Sequence, residues 1–93
     1  MIYEVRTYRL KPRSVPEFVN TFGKAYEKRQ ALSKLAAFFV TEIGPLNEVI
    51  HIWPYKDAAE REKKRIRSAQ DKKYAWPPKI GHLLESMQSE VYV

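Results

Sequence analysis

The chain is predicted to fold as an α+β domain: a four-stranded antiparallel sheet with both helices on one face, in the ferredoxin-like order β-α-β-β-α-β. Three observations predict it. Segments that alternate every second residue lie near both ends, at residues 2–10 and 87–93. A Gly44-Pro45 turn joins two apolar runs in the middle, and a stretch of helical spacing follows each of Ser14 and Asp57.

Residues 2–10 put Ile2, Glu4, Arg6, Tyr8 and Leu10 on one side and Tyr3, Val5, Thr7 and Arg9 on the other. β-branched and aromatic residues dominate, so this is a strand, ended by Lys11-Pro12-Arg13. Ser14 stands where a helix cap belongs, and Glu17 completes a capping box. Pro16 is tolerated because first-turn N–H groups have no intrahelical partner. Val15, Phe18, Val19, Phe22 and Tyr26 form one apolar stripe, and the helix is expected to reach about Leu32. Residues 35–43, with Phe38, Phe39 and Val40 in succession, read as a strand covered on both faces. Gly44-Pro45-Leu46-Asn47 turns the chain, since Gly accepts positive φ and Pro has no N–H for a ladder. Residues 48–55 return as a strand, again apolar on both sides from Val49 to Trp53.

Asp57 caps the second helix, with Glu60 at the capping-box position. It is expected to run to about Ala69, with Ala59, Ile66 and Ala69 as its core candidates. Glu60 and Lys64 form a favourable i, i+4 pair. Residues 71–78 connect, residues 79–84 are expected to make a short helical piece, and the last strand follows.

One helical layer covers one face of a small sheet. The runs at 38–40 and 49–53 therefore leave apolar surface on the helix-free face. A chain of 93 residues buries only roughly 60–65% of the surface its unfolded form exposes. Without cysteine, neither disulfide nor thiolate-bound metal reinforces the core. The expected reinforcement is a homodimer, in which a second copy presents the same face and closes the pair symmetrically.

The balance of 17 Lys+Arg against 11 Asp+Glu, a formal charge of +6, would suit nucleic acid or anionic lipid. The basic residues Arg61, Lys63, Lys64, Arg65, Arg67, Lys72 and Lys73 read more simply as a solvated helix face. The aromatic signatures of RNA-binding sheets are missing, and no apolar run approaches the ~18 residues of a membrane span. Neither nucleic acid nor membrane is expected as a partner. The opening MIYEVRTYRL has the alternation of a strand rather than the apolar core of a signal peptide, and nothing in it is transit-like, so a cytoplasmic protein is expected. Two histidines without ligand spacing argue against metal, and glycines at 23, 44 and 81 are too scattered for a phosphate loop. No cofactor is expected, and no serine sits in a nucleophile elbow.

The segments Glu4-Val5-Arg6-Thr7-Tyr8-Arg9-Leu10-Lys11-Pro12, Thr41-Glu42-Ile43-Gly44-Pro45-Leu46-Asn47 and His51-Ile52-Trp53-Pro54-Tyr55 resemble the NIPSNAP family, as do Arg61 and Trp76. The likeness covers almost the whole chain, and the central hairpin is its most specific part. It implies a dimeric α/β barrel in which two ferredoxin-like sheets close face to face. It implies no particular activity. Eukaryotic members are associated with mitochondria and vesicle traffic, and small stand-alone members are of unknown function. The wider barrel group includes cofactor-independent monooxygenases, haem-degrading enzymes and polyketide cyclases, none of whose catalytic motifs transfers residue by residue.

The candidate site comes from strand parity. Glu4, Arg6 and Tyr8 share one face of the first strand, and His51, Trp53 and Tyr55 share one face of the third, which should lie beside it. If both sets point into the barrel, they line a pocket with apolar walls and a few convergent polar groups, as small-molecule sites have. His51 is then the candidate general base, and Arg6 and Tyr8 hold an enolate or carboxylate oxygen. Glu4, Trp53 and Tyr55 complete the ligand-binding set. The ligand expected is an apolar or aromatic oxo-compound. The plainer reading is a Glu4–Arg6 ion pair, a satisfied core histidine and aromatic packing, in a non-enzymatic dimeric interaction module.

Overall fold

The alternation at the start of the chain becomes β1 (Ile2–Leu10) in the computed structural model, which describes residues 1–93. The other elements are α1 (Val15–Arg29), β2 (Ala37–Val40), β3 (Glu48–Tyr55), α2 (Ala58–Gln70) and β4 (Leu84–Tyr92). Two short 3₁₀ turns, Lys72–Tyr74 and Gly81–Leu83, lie between α2 and β4. The sheet is antiparallel throughout, in the order β2-β3-β1-β4, which is the ferredoxin-like arrangement.

Parity is fixed by packing. Tyr8, Leu10 and Val49 meet Phe18 and Phe22 of α1 in the buried core, with Ile80 and Leu83 closing one side. A one-residue slip would turn all of these outward, so the register is strongly specified. In that register Glu4 lies opposite Trp53, Arg6 opposite His51 and Tyr8 opposite Val49.

Several expectations are corrected. Ser14 does not cap α1 through its side chain, because its backbone is already helical (φ −89°, ψ −10°) rather than extended. Glu17 instead accepts from His82 Nε2 at 2.8 Å. The helix stops at Arg29. The second strand is only four residues long and lies at the sheet edge, with Phe39 55% exposed, so its two faces are not both covered within one chain. The helical piece expected over 79–84 is the single 3₁₀ turn.

In α2 the Asp57 cap is as expected: its Oδ1 accepts from the Glu60 N–H at 2.8 Å, and Glu60 accepts from the Lys56 N–H. Its inner face is not. Ala59, Ile66 and Ala69 are exposed, Ile66 by 48%, and Ser68 is the buried residue. The reason is an ionic anchor: Arg61 turns inward to a buried carboxylate, and that choice sets which stripe of the helix faces the sheet.

Candidate functional site

The buried carboxylate is Glu4. The alternation of β1 points it under α2, where it is fully excluded from water. Arg61 grips it with two bonds, Nε to Oε1 at 3.2 Å and Nη2 to Oε2 at 2.8 Å. Arg6 Nη1 donates to Oε2 at 3.1 Å, and Ser89 Oγ, from β4, donates to the same oxygen at 2.6 Å. Burial raises the Glu4 pKa, but the Arg61 and Ser89 hydrogen bonds and the Arg61 and Arg6 charges outweigh it and bring it down to about 2. Glu4 is thus a fixed anion.

Arg6 spans two neighbours on its own strand, donating through Nε to the Tyr8 hydroxyl at 3.0 Å. Burial lowers its pKa, and Tyr8 with Glu4 more than reverses the effect. The expected Glu4–Arg6 ion pair is therefore present.

His51 sits among aromatic rings: Tyr8 meets it edge-on at 4.7 Å between centroids, and Phe22 lies at 5.1 Å. Its Nδ1 accepts from the Trp53 indole N–H at 2.8 Å. An indole nitrogen can only donate, so the neutral ring carries its proton on Nε2. That Nε2 is buried without a partner. Burial and the Arg6 charge lower the His51 pKa to about 4, with Glu4 opposing. The lone pair that a general base would use is occupied, and the free polar atom is a donor.

All six residues expected at the site line one cavity of about 410 Å³: Glu4, Arg6, Tyr8, His51, Trp53 and Tyr55. It lies on the helix-covered side of the sheet, roofed by Trp76, Pro77, Pro78 and Ile80. The expectation that these strand faces point toward a second copy is overturned, because core packing of Tyr8 and Val49 on α1 turns them under the helices.

Sequence reasoning missed one wall. Arg29, at the end of α1, is 2% exposed and lines the same cavity. Its guanidinium carbon lies 5.0 Å from the Trp53 ring centre and 4.7 Å from that of Trp76. The two indoles meet edge to face, 5.8 Å apart at 79°. No carboxylate forms an ion pair with Arg29, and its Nε has no hydrogen-bond partner. Burial lowers its pKa; Tyr55 and Glu4 raise it in part, while Arg65 lowers it further. A signal was there to be read: Arg29 falls seven residues after Phe22 and continues the buried stripe of α1. Ser89 was readable only from the β1–β4 register, which sets it opposite Arg6.

The NIPSNAP family model matches residues 3–93. A NipSnap homologue from Dictyostelium discoideum is 32% identical over 95 aligned positions, covering 99% of this chain and 42% of the relative. The chain thus spans less than half the length of the curated relatives it matches. A crystal structure of an uncharacterised NIPSNAP domain protein from Burkholderia xenovorans superposes with a TM-score of 0.90 at 32% identity, covering 100% of this chain and 93% of that one. A crystal structure of an antibiotic biosynthesis monooxygenase gives a TM-score of 0.72 at 14% identity, covering 100% and 97%, a likeness of fold alone. No helix is long and apolar enough to cross a membrane.

Proposed function

This chain belongs to the NIPSNAP family, and from that premise we propose that it binds a small apolar or aromatic oxo-compound in the cavity between its sheet and the segment before β4. The observation that carries the reading is the buried, unpartnered Nε2 of His51, a residue that lines the cavity together with Tyr8, Phe22, Trp53, Tyr55 and Trp76. A buried donor without an acceptor costs about 1–3 kcal/mol, and a ligand oxygen would recover it. Arg6 and Tyr8, on the neighbouring strand β1, share the sheet face of His51, and Arg6 lies directly opposite it. Any chemistry there would be stabilisation of an enolate or alkoxide by hydrogen-bond donors, without a cofactor.

The assembly proposed with it is a homodimer in which two sheets meet by their helix-free faces to form an α/β barrel. Support comes from the surface itself: Tyr3, Phe39 and Tyr92 are exposed on that face beside half-buried Ile50 and Ile52. A two-layer domain with an apolar outer sheet face lacks a third layer.

Calorimetric titration with aromatic ketones such as acetophenone tests the site, using wild type, His51→Ala and Arg6→Ala. Binding by wild type with at least tenfold weakening in either variant is expected. Equal binding by all three would dismiss the site. Sedimentation at micromolar concentration tests the pair, where a folded monomer would dismiss it.

The second reading, a non-enzymatic interaction module, is favoured by one observation. The Glu4–Arg6–Arg61 cluster is closed on itself and ties β1, β4 and α2 together without a ligand.

A further inference from the structure

We propose that Arg29 is the anion-recognition residue of the cavity, and that the natural ligand is a small monoanion, a carboxylate on an apolar or aromatic body. Arg29 acts in this way only if the cavity is the ligand site proposed above.

Three guanidinium groups line the cavity, those of Arg6, Arg29 and Arg65, against the single carboxylate of Glu4. That carboxylate is already committed to Arg61, Arg6 and Ser89. Arg65 approaches it only at 3.9 Å and is half exposed. Arg29 has no carboxylate at all. The charge balance facing a ligand is therefore positive, and its most buried source is Arg29.

Two indoles hold that cation in place. A guanidinium lying against one aromatic face keeps its N–H groups in its own plane, directed away from that ring. Trp53 and Trp76 form a corner around the guanidinium, and Arg29 Nε still lacks an acceptor. A carboxylate matches the edge of a guanidinium with two parallel bonds, which a ketone or amide oxygen cannot do. The roof and walls beside it, Trp76, Ile80 and Phe22, are apolar and take the body of the ligand.

A buried charge can also be a fixture of the core, held by its indoles and by Tyr55. The two cases differ in whether binding discriminates charge. Trp53 and Trp76 are the only tryptophans in the chain and both touch Arg29, so intrinsic fluorescence reports on the site.

The probes are phenylacetate and its neutral counterpart phenylacetamide, titrated by tryptophan fluorescence and by calorimetry. Wild type should bind phenylacetate about tenfold or more tightly than the amide, as a charge-assisted pair requires. Arg29→Gln should abolish that preference while leaving the amide affinity in place, and Arg29→Lys should keep only part of it. Arg29→Met, which retains the apolar stem, replaces Arg29→Gln if the latter fails to fold. Equal affinities for the two probes in wild type overturn the role of Arg29 and leave the cavity reading standing. A preference that survives in Arg29→Gln or Arg29→Met does the same. Failure of both probes to bind wild type overturns the cavity reading and the role of Arg29 together.

Discussion

Acidification from pH 7 to pH 5 should cost the fold about 2 kcal/mol through His51 alone. In the folded protein its pKa is held near 4, against an ordinary value of 6.5. A depressed value means that the contribution is present above 6.5 and is lost as pH falls toward 4. The full shift corresponds to about 3 kcal/mol, of which about two thirds is spent by pH 5. The structure supplies the cause. Nε2 already carries a proton, so the second must enter at Nδ1, where the Trp53 N–H is bonded. Protonation therefore charges a ring that water does not reach and sets two donors against each other. Glu4 adds little in this window, since its own loss falls between 4.5 and about 2.

The assay is urea unfolding followed by tryptophan fluorescence at pH 7, 6 and 5, because Trp53 is buried in the native state. His51→Gln will lower stability at every pH, so the slope is the readout rather than the level. The chain has only two histidines, and the slope lost on replacing one isolates its share. Stability that is flat between pH 7 and 5 refutes the reasoning, as does an undiminished slope in His51→Gln.

Two further outcomes follow from the anchor of α2. Glu4→Gln should destabilise by about 3–5 kcal/mol in urea, because it leaves Arg61 and Arg6 facing a neutral amide in a buried site; a loss below 1 kcal/mol would mean that α2 is held by something else. Ile66→Lys should change stability by no more than about 0.5 kcal/mol, as for any exposed position; a large loss would return Ile66 to the core.

The order of elements was legible because each boundary has a local cause. Alternation marks β1, Gly44-Pro45 marks the hairpin, and Asp57 with Glu60 marks the start of α2. Six site residues were legible for a similar reason: strand parity puts residues two apart on one face, and the β1–β3 pairing joins the two sets. Which face they occupied was not, because β1 and β3 carry apolar residues on both sides and only packing on Phe18 and Phe22 decides. The inner stripe of α2 was misread because apolarity was used as the marker of burial. Arg61 is drawn inward by the charge of Glu4 and is half-buried, and the apolar Ile66 lies on the outside. Arg29 was missed for the same cause, a cation that completes an apolar stripe.

These misread cations also bear on what kind of site this is. General acid–base catalysis near neutral pH needs a group that titrates there. Glu4 stays ionised down to about pH 2, and His51 stays neutral down to about pH 4. Each is held away from neutrality by the neighbours that fix it in place, Arg61 in one case and the aromatic shell with Arg6 in the other. Two residues of the cavity lining carry buried donors without acceptors at neutral pH: His51 at Nε2–H and Arg29 at Nε–H. A site so built favours holding a negatively charged oxygen over moving a proton, which is why its ligand is expected to bring both the charge and any reactivity.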